Sequence, residues 1–336
     1  MLAVTKLSNN AGEMELRDVP VPKPSQRNVL VAVRATGICG TDLHIMKGEY
    51  QVVPPLVLGH EICGTVAEVG PGVDTAWIGK RVVMETFFRT CGQCANCRDG
   101  RPNMCVSRRS IGTHVNGGLA NFVEIPEINL HEVAEGISDY AAALAEPLAC
   151  VCNALFPNGP AISAEDRVLV IGPGAIGGLA AQVARSCGAE VVVRGTQGDA
   201  VRLNVLGKLN FDCSIVNEDA IENESFDVVI ECSGNAFGLA DGLNAVRRRG
   251  RLLVLGICGR PITLDFDRIC FKELMVTSGF ASTPESWRRT MALLNGKHLS
   301  LEPLISDVLP LRDWSQAFHN SLSLNGFKYL IDPRLS

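Results

Sequence analysis

Four cysteines within a span of fifteen residues form the clearest candidate metal site in this sequence. They follow the spacing C-x2-C-x2-C-x7-C and are Cys91, Cys94, Cys97 and Cys105. Four thiolates on one loop match a closed, tetrahedral zinc site, which stabilises a fold and leaves no position for a substrate. Iron–sulfur clusters use similar spacing, but nothing else in the sequence indicates electron transfer. The spacing therefore predicts a structural zinc ion.

A second group of possible metal ligands comes from two separate segments. Cys39 lies in one of them, and the adjacent pair His60 and Glu61 lies in the other. A thiolate, an imidazole and a carboxylate suit Zn²⁺, and three protein ligands leave one coordination position open. Each residue alone would more often be structural, since a single cysteine is usually core and a single His-Glu pair is usually surface. Together they indicate an open zinc site of the catalytic type.

A glycine motif in the middle of the chain indicates a dinucleotide site. The motif G-x-G-x-x-G includes Gly172, Gly174, Ala175, Ile176 and Gly177. It follows a strand predicted over 168–171 and opens a helix predicted over 175–187, which is the context that supports the interpretation. The first glycine makes a tight turn, the second lets the backbone approach the pyrophosphate, and the third lets the helix pack closely. The N-terminus of the helix then faces the anion.

The choice between NAD and NADP depends on the end of the following strand. NAD sites place an acidic residue about twenty positions after the motif, where its carboxylate holds the ribose hydroxyls. Here Gly195 takes that place, and Asp199 comes a little late. Arg194, Thr196 and Arg202 could instead receive a 2′-phosphate, or they could be ordinary solvated surface. The missing acidic residue and the three possible ligands of a 2′-phosphate favour NADP over NAD.

The elements that must position these residues change in character along the chain. The first 150 residues are rich in glycine, proline and β-branched residues, and they predict short strands over 28–35, 65–69 and 81–84. A helix predicted over 285–294 opens a tail of mixed elements. We expect this tail to return to the first domain.

Between these parts, apolar strands alternate with helices. Strands are predicted over 190–193, 226–231 and 251–255, in addition to 168–171, and a helical stretch over 238–248 separates the last two. This alternation predicts a doubly wound parallel sheet. The stretch 213–226 is short, and we expect a turn there in place of a helix.

Composition restricts the class of protein. The chain has 336 residues, of which 46% are hydrophobic and 20% charged, with a net charge of −5. This composition supports two folded domains and does not favour nucleic acid or an anionic membrane as a partner. No segment predicts a signal peptide or a bilayer helix. Thirteen cysteines, an odd number, indicate reduced thiols or metal ligands, and we expect a cytoplasmic protein. Isolated cysteines such as Cys213 and Cys270 are expected to be buried.

The segment Gly59-His60-Glu61-x2-Gly64-x5-Gly70-x2-Val73 resembles the signature of zinc-containing medium-chain alcohol dehydrogenases. The resemblance covers nearly the whole chain in order, through the Cys39 segment, the four cysteines, Glu146, the glycine motif and the tail at 326–333. Glu146-Pro147-Leu148-Ala149 is similar to the polyol branch, which includes sorbitol, iditol, xylitol and sugar-acid dehydrogenases. The alkyl-alcohol branch carries a cysteine ligand where this chain has Glu146.

The resemblance implies an α/β fold in which a doubly wound parallel Rossmann sheet is inserted into a β-rich, GroES-like catalytic domain. The implied boundaries are 1–151 and 282–336 for the catalytic domain, with the four-cysteine lobe at about 88–106, and 152–281 for the dinucleotide domain. Two zinc ions are implied. The catalytic one would be held by Cys39, His60 and Glu61, with Glu146 bound directly or through water.

The resemblance also implies roles around the catalytic zinc. Thr41 would accept the alcohol proton, His44 would pass it towards solvent, and Asp42 would hold the far nitrogen of His60. Lys328 either touches the cofactor or lies on the surface. Further cofactor-binding positions implied at the ends of later strands are Cys232, Ser233, Gly256 and Ile257. The segment 278–280 resembles an edge strand that pairs between subunits, so a homodimer or homotetramer is implied.

The implied function is the reversible oxidation of a secondary alcohol to a ketone, with hydride transfer to NAD(P). The substrate would be a small molecule: a polyol, a sugar or a sugar acid. One alternative is a threonine or amino-alcohol dehydrogenase, which shares the metal and dinucleotide motifs. Another is a regulatory protein that binds zinc and dinucleotide without turnover. The intact set of Cys39, Thr41, His44, His60 and Glu61 argues against that last alternative.

Overall fold

The computed structural model describes residues 1–156, 162–323 and 325–335. The first part of the chain forms short strands, because glycine, proline and polar turns interrupt its apolar runs. Its strands are β1 (Leu2–Lys6), β2 (Met14–Asp18), β3 (Asn28–Gly37), β4 (Leu56–Val57), β5 (Glu61–Val69), β6 (Arg81–Met84), β7 (Phe87–Arg89), β8 (Arg109–Ser110), β9 (Phe122–Pro126) and β10 (Leu130–Glu132). Its helices are α1 (Gly40–Met46), α2 (Ala95–Arg98), α3 (Asp139–Ala143) and α4 (Ala145–Leu155).

The second part alternates strands with helices, and the tail adds two more of each. The strands are β11 (Arg167–Ile171), β12 (Glu190–Gly195), β13 (Asp212–Ile215), β14 (Phe226–Glu231), β15 (Val246–Val254), β16 (Met275–Ser278), β17 (Ile305–Pro310) and β18 (Lys328–Asp332). The helices are α5 (Ala175–Ser186), α6 (Ala200–Lys208), α7 (Ala236–Ala245), α8 (Asp267–Phe271), α9 (Pro284–Asn295) and α10 (Trp314–Leu322). Within the described ranges, no helix combines the length and apolar character needed to cross a bilayer.

The long strand β3 lies at the centre of the larger sheet in the first part. It pairs antiparallel with β5 and β9, and at its end Gly37 pairs with Leu330 of β18. The last strand, β18, then pairs in parallel with β17. The tail of the chain therefore completes the sheet that the first part begins. β7 and β8 form a separate two-stranded ribbon on either side of the four-cysteine segment.

The second part confirms the predicted doubly wound parallel sheet. Its strand order is β13-β12-β11-β14-β15-β16, and every neighbouring pair is parallel. The chain starts in the middle at β11, runs outwards to β13, and then returns to fill the other half. Ligands of such sheets bind at the carboxyl ends of the strands, where the order reverses. Residues 216–225 contain no helix, as the short spacing predicted.

Helix α4 packs between the two parts of the molecule. Its sequence is mostly apolar, and ten of its eleven residues are buried, including Glu146 and Asn153. A helix of this kind must be covered all round, and α4 is covered by α5 of the parallel sheet, by α9 of the tail, and by β5 and β6. The predicted boundary at 151/152 lies inside this helix, so α4 belongs to both parts.

Two predictions from the sequence are wrong. The helix predicted over 238–248 ends at Ala245, because Val246 is buried and pairs with Phe226 as the first residue of β15. Cys213 and Cys270 are exposed, not buried. Cys213 lies on β13, the edge strand, where one side of the chain has no neighbouring strand to cover it. Sequence position alone does not distinguish an edge strand from a central one.

Trp287 on α9 fixes the tail against the first sheet. It is fully buried, its ring stacks on His131 at 4.9 Å between centroids, and its indole N–H donates to the Ser282 hydroxyl at 3.0 Å. We expect Trp287→Ala to lower the free energy of unfolding by about 3–5 kcal/mol, because it leaves a large cavity. Urea unfolding followed by circular dichroism measures the change. Phe237→Ala is the control, since Phe237 is 89% exposed, and an equal loss in both variants would contradict the assignment.

Candidate active site and metal centres

The four cysteines of the lobe converge in the structure. The sulfur atoms of Cys91, Cys94, Cys97 and Cys105 all lie within 4.8 Å of one another. The backbone N–H of Cys94 donates to the sulfur of Cys91 at 3.4 Å. Hydrogen bonds from the backbone of Gln93 and Cys94 lower the pKa of Cys91 to about 6, which favours a thiolate. Four sulfur donors at this separation fit a closed zinc site.

Cys39, His60 and Glu61 form the second convergent group. One possible ligand atom from each of them lies within 4.8 Å of those from the other two. Cys39 is the residue before α1, and Glu61 is the first residue of β5. The pairing of β3 with β5 places Gly37 opposite Glu61. A Cβ atom at Gly37 would collide with the Glu61 carboxylate, so glycine is required for this close approach.

The buried carboxylate of Asp42 organises the segments that carry two of these residues. It accepts hydrogen bonds from the backbone N–H groups of Cys39 at 2.9 Å and Gly59 at 3.3 Å. Its Oδ1 lies 3.7 Å from Nδ1 of His60, a distance for charge attraction and longer than a hydrogen bond. Burial lowers the pKa of His60, but the charges of Asp42 and Cys39 outweigh burial and raise it well above the ordinary value.

Two buried atoms of the His60–Glu61 pair have no hydrogen-bond partner among the described residues. They are Nδ1 of His60 and Oε2 of Glu61. Such atoms carry a free-energy cost unless something else in the site satisfies or offsets them. A divalent cation between the carboxylate, the imidazole and the thiolate would satisfy Oε2 of Glu61, whereas Nδ1 of His60 faces Asp42. The mixed donor set is the type that zinc prefers. The residues present therefore fit a metal ion.

Lys328 is a site residue whose position the sequence did not predict. It is buried on β18, where its ammonium group donates to Oε1 of Glu61 at 2.6 Å and to the Ile38 carbonyl at 3.1 Å. Of the two alternatives for Lys328, the surface position is therefore wrong, because β18 closes the sheet beside β3. The only local indication was a single lysine at the start of the apolar strand Lys328–Asp332.

Glu146 lies on α4 and is buried, 7% exposed. It is not part of the group within 4.8 Å, so its role as a zinc ligand stays a prediction. Burial raises the pKa of Glu146 to about 7, and the charge of Glu61 acts in the same direction while His60 opposes it. Its Oε1 lies 3.8 Å from the sulfur of Cys150, one helical turn further along.

The proposed proton-relay residues lie between Cys39 and solvent. The Thr41 hydroxyl is 3.8 Å from the Cys39 sulfur. His44 is on the same helix, and its Nδ1 lies 2.6 Å from a carboxylate oxygen of Glu49. Its ring faces Gly259 of the parallel-sheet domain, since Cε1 is 3.9 Å from where a Cβ on that glycine would be. The first part of the chain and the parallel-sheet domain therefore approach each other at His44.

The glycine motif has the geometry of a phosphate-binding turn. Gly172 has a φ of +94°, and a Cβ there would lie 2.7 Å from the backbone N of Ser233. A Cβ on Gly174 would meet no atom within 4 Å, so open space faces this backbone. A Cβ on Gly177 would collide with the Gly172 carbonyl. The turn thus leads into the N-terminus of α5 with an uncovered backbone in front of it.

The end of β12 differs from the prediction at Arg194. Its guanidinium is buried, paired with Asp241 of α7 at 2.6 Å, and hydrogen-bonded to Ser214 at 3.1 Å. The expectation that it receives a 2′-phosphate is therefore not supported, because the side chain points back into the domain. A Cβ on Gly195 would lie 2.9 Å from Pro173, so the missing NAD-type carboxylate would not fit there.

The remaining residues of this loop form a closed network. The Asp199 carboxylate accepts hydrogen bonds from the backbone N–H and the hydroxyl of Thr196 at 3.0 and 2.8 Å. Arg202 pairs with Asp199 at 3.2 Å and donates to the Gly326 carbonyl at 2.6 Å. Thr196 is exposed, whereas Arg202 is partly buried.

Two later loops complete the rim at the carboxyl ends of β14 and β15. The Ser233 backbone N–H donates to Glu231 at 2.7 Å, directly after β14 and next to Cys232. A Cβ on Gly256 would collide with this turn, so the two loops are in close contact. Ile257 is 76% exposed. A cavity of about 320 Å³ opens here, lined by Gly234, Asn235, Ala236, Phe237, Cys258, Arg260 and Ile262.

Comparison with known proteins agrees with this geometry. The family model of the alcohol dehydrogenase GroES-like domain matches residues 25–135, and that of zinc-binding dehydrogenases matches 175–296. A sorbitol dehydrogenase from Halalkalibacterium halodurans is 34% identical, over 99% of each chain. A D-arabitol-phosphate dehydrogenase from Enterococcus avium is 33% identical, over 99% of this chain and 97% of its own.

Solved structures share the same fold along the whole chain. A zinc-binding dehydrogenase from Sinorhizobium meliloti, solved with NADP bound, is 30% identical with a TM-score of 0.89 over 99% of both chains. The two family models together match more than half of this chain, and the similarity to the sorbitol dehydrogenase runs from one end to the other. With both ligand clusters and the glycine turn in place, the chain belongs to the zinc-containing medium-chain alcohol dehydrogenase superfamily, among its polyol dehydrogenase-like members.

Proposed function

We propose that this dehydrogenase reversibly oxidises a secondary hydroxyl of a polyol, a sugar or a sugar acid to the ketone, with NAD(P) as hydride acceptor. The observation that carries the proposal is the convergence of Cys39, His60 and Glu61 within 4.8 Å, near the point where His44 approaches Gly259 of the parallel-sheet domain. The similarity to dehydrogenases of sorbitol and of arabitol phosphate supports a polyol-type substrate.

In this proposal Cys39, His60 and Glu61 hold a catalytic zinc, with Glu146 bound directly or through water, and the four cysteines hold a second, structural zinc. Zinc held there would lower the pKa of the substrate hydroxyl, and a bound nicotinamide would supply the acceptor for the carbinol hydrogen as hydride. Thr41 accepts the hydroxyl proton at Oγ1, and His44 passes it to solvent. Glu49 orients His44 through Nδ1. Asp42 holds the Cys39 and Gly59 backbone in place, and Lys328 balances the charge of Glu61.

We propose NADP as the preferred dinucleotide, held by the turn Gly172–Gly177 and by Cys232, Ser233, Gly256 and Ile257. No carboxylate fits at Gly195, and the Asp199 carboxylate is already occupied by Thr196 and Arg202. Thr196 is exposed where a 2′-phosphate would lie, and Arg202 is the nearest positive charge in that network. The Sinorhizobium meliloti relative was solved with NADP, which is consistent with this choice.

We also propose a homodimer or homotetramer in the cytoplasm. β16 is an edge strand of the parallel sheet, and Met275 and Val276 on it are exposed. An apolar edge strand without a partner favours pairing with a second copy. All thirteen cysteines are free of disulfides, which suits a reducing compartment.

A substrate panel tests the proposed activity. We expect sugar alcohols or sugar acids to be oxidised faster than L-threonine, and two zinc ions to be found per chain by plasma mass spectrometry.

Cys39→Ser is expected to lose one zinc ion and all measurable turnover, because it removes a ligand of the open site. Cys97→Ser is the matched variant: it is expected to lose the other zinc ion and stability. Preferential oxidation of L-threonine would favour the amino-alcohol alternative, and dinucleotide binding without any turnover would favour the silent regulatory one.

His44→Ala tests the proton relay. We expect kcat to fall by about a hundredfold, at the lower end of general acid–base contributions, because the hydroxyl proton loses its route to solvent. Imidazole added to the assay is expected to restore part of the rate. His319→Ala, on an exposed position of α10, serves as the control and is expected to leave kcat unchanged. An unchanged rate in His44→Ala would rule out the relay.

Thr196→Asp tests the dinucleotide preference. We expect the wild-type enzyme to have a higher kcat/KM with NADP than with NAD. In the variant the value for NADP is expected to fall about tenfold or more, because a carboxylate repels the 2′-phosphate. Thr196→Asn keeps the size and the capping ability without the charge, and it is expected to change little. A wild-type kcat/KM that is tenfold higher with NAD would contradict the proposal.

A further inference from the structure

Arg108 is an unusual arginine in this fold. It follows the last cysteine of the lobe and precedes β8, and it is partly buried. Its guanidinium carbon lies 5.0 Å from the centroid of the Phe280 ring. Within 1–156, 162–323 and 325–335, no hydrogen bond or ion pair engages this guanidinium, whereas every other buried or partly buried arginine has at least one.

The N–H donors of Arg108 remain accessible, because none of its nitrogen atoms is among the buried side-chain atoms that lack a hydrogen-bond partner. The stack on Phe280 covers one face of the planar group but satisfies none of its N–H donors. Guanidinium groups carry five donors in a fixed fork, which matches a carboxylate or a phosphate in a bidentate manner. The free donors therefore suit an anion from outside the chain.

The position of Phe280 locates Arg108 relative to the catalytic residues. The Phe280 carbonyl accepts hydrogen bonds from Asn103 of the lobe at 2.7 Å and from Asn153 of α4 at 3.2 Å. Asn153, Cys150 and Glu146 are spaced by three and four residues, so they share one face of α4. Arg108 therefore lies beside the same helix face that carries Glu146.

The charges around Arg108 agree with this placement. Burial lowers the pKa of Arg108, while Tyr50, Cys150 and Glu146 act on it in the opposite direction. Tyr50 belongs to the loop after α1, and Cys150 and Glu146 belong to α4. Along α4, Glu146 and Asn153 are separated by on the order of 10 Å. This separation is comparable to an extended sugar chain with its terminal group.

We propose that Arg108 is a specificity-determining residue that binds a terminal oxyanion of the substrate while the reacting hydroxyl lies at Cys39 and His60. The substrate class is then an anionic polyol: either a sugar acid, through its carboxylate, or a polyol phosphate, through its phosphate. The inference rests on the proposed function, and it adds which end of the molecule is recognised. Tyr50 acts electrostatically on Arg108 and is therefore expected to lie near the same end of the substrate.

Matched substrate pairs test this role. One pair compares gluconate with sorbitol, and the other compares arabitol phosphate with arabitol. We expect the charged member of one pair to have the higher kcat/KM with the wild-type holoenzyme, and the better pair identifies carboxylate or phosphate. In Arg108→Gln, kcat/KM for that charged substrate is expected to fall about tenfold or more, chiefly through KM, because charge-assisted hydrogen bonds are lost.

Neutral substrates and neighbouring variants provide the controls. The neutral polyol is expected to change less than about twofold in Arg108→Gln, since it makes no ionic contact at this end. Arg108→Lys keeps the charge without the fork, and an intermediate KM is expected. Arg109→Gln removes the adjacent, exposed arginine and is expected to behave like the wild type.

Two outcomes would overturn the proposal. If kcat/KM falls equally for charged and neutral substrates in Arg108→Gln, Arg108 only supports the fold through Phe280. If kcat/KM falls for neither kind of substrate, Arg108 does not contact the substrate. In both cases polyol turnover by the wild type leaves the proposed function intact. If the wild type oxidises none of the four compounds, binding of gluconate and of arabitol phosphate is measured by calorimetry instead. Binding by the wild type that is lost in Arg108→Gln supports the anion site. Absence of binding by the wild type excludes it.

Discussion

The pairing of β3 with β5 is the constraint on which the catalytic centre depends. In this register Gly37 lies opposite Glu61, so the end of one strand meets the start of the other. Cys39 lies two residues after the end of β3 and His60 directly precedes β5, so strand pairing brings these two residues together. The absence of a side chain at Gly37 leaves the space that the Glu61 carboxylate occupies. A shift of register by one residue would turn Glu61 to the other face of the sheet.

The buried carboxylate of Glu61 is tolerated because Lys328 faces it. Removing one member of a buried ion pair leaves an uncompensated charge and typically costs about 3–5 kcal/mol. Both side chains here are almost fully inaccessible, and Lys328 is further held by the Ile38 carbonyl next to Cys39. The ion pair thus ties β18 to the segment that carries the zinc ligands. The same ion pair therefore balances the charge of Glu61 and holds the last strand of the sheet in place.

Local motifs made much of this protein predictable from sequence. The four cysteines, the glycine turn and the alternation of strands and helices each act within a short stretch, so spacing alone indicated their structure. The ion pair between Glu61 and Lys328 was not predictable, because 267 residues separate its members and only the sheet brings them together. Arg194 was misjudged for a related reason: its partner Asp241 lies on α7, 47 residues away.

Helix ends and edge positions also depended on distant contacts. α7 stops at Ala245 because Val246 pairs with Phe226, and nothing in the run of arginines that follows marks this change. Cys213 is exposed because β13 happens to be the outer strand. In contrast, the strand over 81–84 was predicted with its observed bounds, since its apolar residues and flanking turns are local.

The return of the tail has a consequence for how the enzyme is made on the ribosome. Domains fold largely in the order in which they emerge, and the parallel sheet needs no residue beyond Ser278 to complete its strands. β17 and β18 are translated after it, yet they finish the sheet begun by β3. During synthesis the Glu61 carboxylate therefore has no ammonium partner until Lys328 has been translated, which is after the whole second domain. Completion of the reactive centre therefore depends on a long-range contact that can form only after every strand of the parallel sheet has been translated.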